Sequence, residues 1–301
     1  AASDVYKRQE LAPTGLDVLK AEKTAAITTF NTKEVGQSYL PMHSDVLTVM
    51  GLTPVKEEAN GTKTHHLNWY KNNSSCVVSD TPTDGTHVTT VPDGVGKVIM
   101  TRSISRVQFT SLKSNFTAQY AGVTFKIDSI YLANVRNNAT VMGEEDTEAD
   151  YFRGGPVEFA VIQGLIDPEA NVNASFAKTY ETPLVLSSES GELDATALGF
   201  DKYINANQPE YAEEDGYLTR LLITGTLMDG DRELGKKYFH IPLKLVDDTG
   251  NVASNKFFKI SATITGEGSP NPDEILENAC INFSIEVAPW NVVEQTEEDT
   301  N

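Results

Sequence analysis

Short segments in which apolar and polar residues alternate recur along much of the chain, and this period-2 pattern is typical of strands with one buried and one wet face. In YFHIPLKLV the apolar residues Phe239, Ile241, Leu243 and Leu245 fall on one side of such a strand. Further segments with strand character are 104–112, 123–135, 157–166, 217–227, 256–265 and 280–287. The pattern predicts a chain built mainly of strands.

One of these segments changes phase in the middle. In VTFKIDSIYLANV the apolar positions are Val123, Phe125 and Ile127, and then Ile130 and Leu132. A single extra residue in one strand shifts the alternation in this way. We therefore predict a β-bulge between residues 127 and 130.

Helical character is confined to residues 14–30. Thr14 is a suitable N-cap, Asp17 stands at the capping-box position, and Leu19 and Ile27 are among the apolar positions. Between residues 51 and 100 the sequence is instead rich in turn residues, with the dipeptides Asn60-Gly61, Asp84-Gly85 and Asp93-Gly94. Many strands, few helices and Gly/Pro turns predict an all-β protein made of antiparallel β-sandwiches.

A length of 301 residues suggests about two domains. The segment 142–156, MGEEDTEADYFRGGP, is acidic, then glycine-rich, and ends in proline, so it is the candidate boundary. The predicted division is an N-terminal domain over 10–145, a C-terminal domain over 146–287, and a C-terminal segment with an acidic tail over 288–301.

The first nine residues stand apart from this organisation. DVYKRQ resembles the in-frame translation of a transposon end used in sequencing libraries. We therefore interpret residues 1–9 as an artefact, expect the native sequence to begin near Glu10, and leave the nine residues out of the fold prediction.

Charge and cysteine content exclude several classes of protein. The formal net charge is −19, from 43 acidic and 24 basic side chains, and such a surface repels nucleic acid and anionic lipid. No apolar run approaches the roughly 20 residues of a transmembrane helix. Cys76 and Cys280 fall in different predicted domains, so we expect no disulfide between them.

The sequence contains none of the familiar catalytic or cofactor-binding motifs, which predicts a protein that is not an enzyme and has no cofactor. His65 and His66 are adjacent, so on a strand they point to opposite faces and cannot easily share a metal ion. Asp229 and Asp231 flank Gly230 without the spacing of a calcium loop, and a hairpin turn explains them as well. No metal site is predicted.

Two tyrosines and one histidine are further candidates for binding or surface positions. Tyr203 and Tyr211 could be exposed aromatic rings that stack on sugars, although ordinary surface tyrosines explain them equally well. His240 alternates with the apolar row of its strand and is expected to face outward.

Three stretches carry a resemblance to a known family. Residues 260–295, ISATITGEGSPNPDEILENACINFSIEVAPWNVVEQ, resemble the C-terminal signature of the major fimbrial subunits of Bacteroidales (FimA/Mfa1-like): a strand, a Thr-Gly-x-Gly-x-x-Asn-Pro connector, a second strand and a Trp-x-Val-x-x-Gln ending. Residues 103–141 resemble the last two strands of that family's N-terminal domain. YFHIPLKL and NKFFKISATITG resemble its late strands.

The resemblance implies two transthyretin-like antiparallel β-sandwich domains, with one short helix in the N-terminal domain. It also implies assembly at the cell surface into a type V pilus, after export through the outer membrane and proteolytic removal of the first strand. In that family the helix follows a lipobox cysteine and at least two core strands. Because the predicted helix begins at Thr14, we expect the chain to be N-terminally truncated.

In this family the vacated groove accepts the C-terminal strand of the next subunit. The resemblance therefore implies that residues 288–295 form a donor strand. Trp290 and Val292 would face one way and Asn291, Val293 and Gln295 the other, with Trp290 as the expected anchor in the neighbour.

The implied partners are other copies of the chain and fimbrial accessory or tip subunits. A second interpretation makes the chain a tip or accessory adhesin that binds a host glycan or protein. The Trp-x-Val-x-x-Gln ending favours the shaft, because tip subunits of this kind often lack a free donor strand.

Overall fold

The computed structural model describes residues 27, 31, 40–44, 47–53, 66–71, 100–146, 148–155, 164–208, 217–243, 252–274 and 281–290. The described chain is nearly all β, as predicted. Its strands are β1 (Met42–Ser44), β2 (Leu47–Thr53), β3 (His66–Lys71), β4 (Met100–Arg102), β5 (Ser105–Ser114), β6 (Val123–Ala133), β7 (Val135–Arg136), β8 (Tyr151–Arg153), β9 (Asn171–Val172), β10 (Ala177–Ser187), β11 (Leu193–Asp194), β12 (Asp201–Ile204), β13 (Arg220–Asp229), β14 (Arg232–Pro242), β15 (Lys256–Ile264) and β16 (Ile281–Pro289).

The chain divides into two compact units. One consists of Ala1–Pro41 with Arg102–Asn301, and the other of Met42–Thr101. Within the smaller unit β2 and β3 pair antiparallel, with Val49 opposite Trp69. The turn dipeptides predicted between residues 51 and 100 lie outside the described residues.

Two sheets dominate the larger unit. β10, β6, β13 and β14 form a four-stranded antiparallel sheet in that order. The second sheet has five strands: β11, β5, β15 and β16 lie side by side in that order, and β12 also pairs with β5. In this second sheet β5 and β15 run parallel, whereas the other pairs are antiparallel. A small third sheet joins β7, β8 and β9.

One hydrophobic core takes residues from both large sheets. Phe239 and Ile241 of β14 are fully buried, as the alternation predicted, and so is Leu243 just beyond that strand, while Leu245 lies outside the described residues. Phe125 of β6 meets Phe239 edge to face, with ring centroids 5.2 Å apart. The apolar rows of β6 and β14 predicted from the sequence therefore lie on the same, core-facing side of the four-stranded sheet.

The predicted bulge in β6 is confirmed. Ser129 pairs with Thr224 and Ile127 pairs with Gly225, so Asp128 is the extra residue of the strand. Gly225 suits this place because an added Cβ would lie 2.1 Å from the Lys126 carbonyl oxygen, closer than any side chain allows. The bulge lets both Ile127 and Ile130 be buried.

The predicted boundary at residues 145 and 146 does not separate two sheets. β5 and β6 precede it, yet they pair with β15 and β13, which follow it. Part of the acidic segment is held in place, although Glu144, Glu148 and Asp150 are exposed. Arg136 pairs with Glu145 at 3.1 Å, and the Arg136 Nη1 donates to the Ala149 carbonyl at 2.6 Å. Acidic composition suggested a linker, but long-range strand pairing and this buried ion pair determine the fold here.

The helix predicted over residues 14–30 lies outside the described residues except for Ile27, which is buried. The structure describes instead a one-turn helix, α1 (Ala195–Leu198), which the sequence reading missed. The side chain of Asp194 caps it by accepting a hydrogen bond from the Ala197 amide at 2.8 Å, and Gly199 ends it with φ at 53°. Four residues are too few for a period, so this cap pair was the available signal.

Candidate subunit interface at the C-terminal strand

β16 lies at the end of the strand order β11-β5-β15-β16, so it is an edge strand among the described residues. It pairs antiparallel with β15 along its whole length, from Ile281 opposite Ile264 to Pro289 opposite Lys256. Among the residues that the structure describes, no strand pairs with its other edge. An open edge presents a row of amide and carbonyl groups that a further strand can bind.

The core-facing row of β16 is only partly covered. Ile281, Ile285 and Val287 pack against the core but keep intermediate exposure, and Phe283 of the same row is 43% exposed. The corresponding row of β15, its partner strand, is buried. The edge of this core therefore has apolar area that the described part of the chain leaves in contact with water.

Trp290 follows β16 directly and packs against its own subunit. Its ring stacks on Tyr203 with centroids 5.7 Å apart and planes inclined by 21°. On the ring lies the guanidinium of Arg102, 4.5 Å from its centroid. The Arg102 Nη1 also donates to the Trp290 carbonyl at 3.1 Å, and the Trp290 amide donates to the Asn255 carbonyl at 3.4 Å.

These contacts come from parts of the chain that are far apart in sequence. Arg102 ends β4, Tyr203 lies in β12, and Asn255 directly precedes β15. Burial lowers the pKa of Arg102 from its ordinary value, and the nearby phenol of Tyr203 opposes that shift. Arginine remains a cation at any ordinary pH, so its charge is available to the indole face.

Only one of the predicted donor-strand residues is among the residues that the structure describes. Trp290 is described and packs on the core of its own chain, whereas Asn291, Val292, Val293 and Gln295 lie outside the described residues. The expected insertion of Trp290 into a neighbouring subunit stays a prediction. Sequence reasoning missed Arg102 and Tyr203, because no local pattern links them to Trp290.

The sugar-stacking interpretation fails at Tyr203, which is only 1% exposed. Its ring is covered because β12 places it in the core beside Trp290. Tyr211 lies outside the described residues. Asp229 and Arg232 pair across the β13–β14 hairpin with Gly230 and Asp231 as its turn, so these carboxylates have an ordinary turn role.

The described residues provide neither a metal-ligand cluster nor a membrane-spanning helix. Within the described ranges, no group of three metal-ligating side chains comes together. None of the helices found in those ranges is long and apolar enough to cross a membrane.

Comparison with known proteins gives matches at the level of structure. No family model matches the sequence, and no curated protein matches it. The structure is similar to a fimbrilin from Porphyromonas gingivalis W83, with a TM-score of 0.52, 20% identity, and coverage of 65% of this chain and 60% of the fimbrilin. The chain thus spans less than two thirds of that relative.

A second match covers more of the molecule. A candidate cell adhesion protein from Parabacteroides distasonis aligns with a TM-score of 0.56 and 16% identity, over 92% of this chain and 77% of the other. Both names describe fimbrial or adhesive proteins rather than enzymes. The chain has an all-β fold similar to that of the Bacteroidales fimbrilins.

Proposed function

We propose that this chain is a structural subunit of a cell-surface fimbria of the type V kind and that it polymerises by donor-strand exchange. The donor is the segment that follows β16, with Asn291, Val292, Val293 and Gln295 as the residues that enter the next subunit and Trp290 at its base. Its partners are copies of itself and accessory or tip subunits.

The open edge of β16 is the observation that carries this proposal. The strand leads directly into the Trp-x-Val-x-x-Gln ending, and its own core-facing row is half covered, with Phe283 43% exposed. A strand added by another subunit would satisfy free backbone groups and cover apolar side chains together. The unpaired backbone groups and the partly exposed apolar side chains lie at the same edge, that of β16.

The fold supports the same proposal. We further propose that each of the two compact units corresponds to one transthyretin-like β-sandwich domain, the larger with its two sheets around one core. The similarity to a fimbrilin supports this assignment at the level of fold.

The test is a deletion in the full-length, processed protein. Removing residues 291–301 leaves β16 and Trp290 intact, so the monomer should keep its thermal stability while filaments disappear in electron micrographs. Removing only 296–301 is the matched control, because it takes away acidic residues but none of the proposed donor residues, and filaments should persist.

Two point variants sharpen the test. Val292 and Val293 face opposite sides of an extended segment, so Val292→Asp and Val293→Asp separate the docking row from the wet row. Only one should abolish filaments. Wild-type protein that stays monomeric and binds glycans or host protein would contradict the shaft proposal in favour of an adhesin.

A further inference from the structure

Trp290 has more contacts with its own subunit than a strand meant to leave it requires. Arg102 makes two of these contacts: its guanidinium lies on the indole ring of Trp290, and its Nη1 donates a hydrogen bond to the Trp290 carbonyl oxygen. Tyr203 stacks on its ring, and the Asn255 carbonyl accepts its amide hydrogen. We call these four residues the Trp290 clamp.

We propose that the Trp290 clamp is a positioning site that stays closed in the monomer and in the filament. It fixes the point and the direction from which the donor segment leaves the subunit. Asn291 would then be the first residue of the donor strand, and Trp290 would anchor the tail in its own subunit rather than in the neighbour. This inference rests on the proposed function for the donor segment alone.

Burial of the partners supports a closed clamp. Tyr203 is 1% exposed with Trp290 in place, so withdrawal of the indole would uncover an aromatic ring of the core. Trp290 also follows the last pair of β16, Pro289 opposite Lys256, without an intervening residue. Movement of the indole into another subunit would break its stacking on Tyr203 and its contact with Arg102.

The backbone of Asn255 supports the same conclusion. It adopts the left-handed conformation with φ at 57°, which asparagine tolerates better than most residues. Its amide donates to the Ile104 carbonyl at 3.1 Å, while its carbonyl accepts from Trp290. One turn thus ties the base of the tail to the start of β5.

A fixed base has a mechanical purpose in donor-strand exchange. Five extended residues, 291–295, span only about 16 Å at the usual rise of a strand. A donor this short reaches a groove only if it leaves its own subunit in a defined direction. A clamp on the preceding residue supplies that direction and reduces the freedom that the segment loses on docking.

Fluorescence of Trp290 tests the proposal directly. The chain has two tryptophans, so Trp69→Phe leaves Trp290 as its single reporter, and any tryptophan of the full-length protein outside this sequence is replaced by phenylalanine as well. In the full-length Trp69→Phe protein we expect low acrylamide quenching and a blue-shifted emission in the monomer, with little change when filaments form. A high quenching constant in the monomer that falls when filaments form would overturn the clamp, because the indole would then be accessible in the free subunit and covered only by the neighbour.

Arginine variants supply a second readout. In the same single-tryptophan background, Arg102→Ala should raise the quenching constant of Trp290 at least twofold, and Arg102→Lys should fall in between because it keeps a cation but loses the planar fork. Arg232→Ala, at an exposed hairpin position, is the matched control and should change nothing. An unchanged constant in a folded Arg102→Ala protein would overturn the clamp.

The outcomes separate this inference from the proposed function. If wild-type protein forms no filaments, the shaft proposal fails while monomer quenching still reports on the clamp. If filaments form but Trp290 is as accessible in the monomer as free tryptophan, the clamp fails and the donor-strand proposal survives.

Discussion

β14 and β16 are both end strands of their sheets, and both alternate apolar and polar residues, yet their surroundings differ. The polar-side residues of β14, Tyr238 and His240, are 7% and 6% exposed. In β16 the equivalent row is exposed, at Asn282, Ser284 and Glu286. Alternation fixes which residues share a face, but distant parts of the chain decide whether that face meets water.

The connector of the signature accounts for much of this difference. Ser269 and Tyr238 exchange two backbone hydrogen bonds, at 2.8 and 2.9 Å, so the connector closes the outer edge of β14. Gly268 permits this approach, because an added Cβ would lie 2.8 Å from the Phe239 ring. Among the described residues nothing comparable closes β16. Within the described part of the chain, the connector thus covers the outer edge of β14 at Tyr238, whereas the outer edge of β16 has no backbone partner.

The largest expected difference between the two strands concerns two phenylalanines. Phe239→Ala removes a fully buried ring that contacts Phe125, and we expect it to cost about 3–5 kcal/mol of unfolding free energy. Phe283→Ala removes a ring that is 43% exposed and should cost less than about 1 kcal/mol. Urea denaturation of both variants measures the gap.

Equal costs would contradict this comparison of the two strands. A large cost at Phe283 in the monomer would mean that its own chain covers the ring, and the open edge would then lose its main support. In filaments the order can change, since a docked strand would bury Phe283.

A buried charge pair beside β14 gives the second prediction. Burial lowers the pKa of Arg220, which is 8% exposed, to about 10, and the nearby charge of Asp273, which is 4% exposed, opposes this fall. Asp273 also accepts the Ile166 amide at 2.8 Å. Asp273→Ala should cost about 3 kcal/mol, because it leaves a buried cation and a buried amide without a partner.

Arg220→Met is the informative companion variant. It keeps an apolar stem of similar length but leaves the buried Asp273 carboxylate without the nearby cation, so alone it should also destabilise the fold, by about 3 kcal/mol. In the double variant the cost of Asp273→Ala should shrink by more than half. Strict additivity in urea denaturation would show that the two charges do not interact.

The sequence predicted local features of single strands better than it predicted which side chains are buried by distant parts of the chain. The phase change between Ile127 and Ile130 located the bulge at Asp128, because a period-2 pattern records register directly. The parallel pairing of β5 with β15 left no such trace, since about 150 residues separate the two strands. The same limit hid the stacking of Trp290 on Tyr203 and the burial of His240.

Burial of His240 gives the third prediction. Burial and the nearby charge of Arg220 lower the pKa of His240 to about 3, from an ordinary value of 6.5. His240 is therefore protonated below about pH 6.5 in the unfolded chain, but only below about pH 3 in the folded chain. Stability from this group is complete above pH 6.5 and is lost as the pH falls toward 3.

His240→Gln isolates this contribution. Between pH 7 and pH 4 the wild type should lose about 3 kcal/mol more stability than the variant, at about 1.4 kcal/mol for each pH unit below 6.5. Denaturation series at several pH values measure the difference. Parallel pH profiles for the two proteins would show that His240 is solvated in solution.

The smallest expected effect concerns two matched ion pairs, one beside each strand. Lys259 lies directly opposite Glu286, and the pair, 3.3 Å apart, has side chains that are 37% and 68% exposed. Lys237 pairs with Glu267 at 3.2 Å, but its own side chain is only 10% exposed. Glu286→Gln should change the unfolding free energy by less than about 0.5 kcal/mol, because water and salt screen an exposed pair.

Glu267→Gln should cost more, about 1 kcal/mol, since it leaves the covered amine of Lys237 without its carboxylate. The Glu286 effect should vanish in 1 M salt, where the screening length is about 3 Å, whereas part of the Glu267 effect should remain. Equal effects with the same salt dependence would mean that both amines meet water alike, and the contrast between a closed and an open strand would then not extend to their charges.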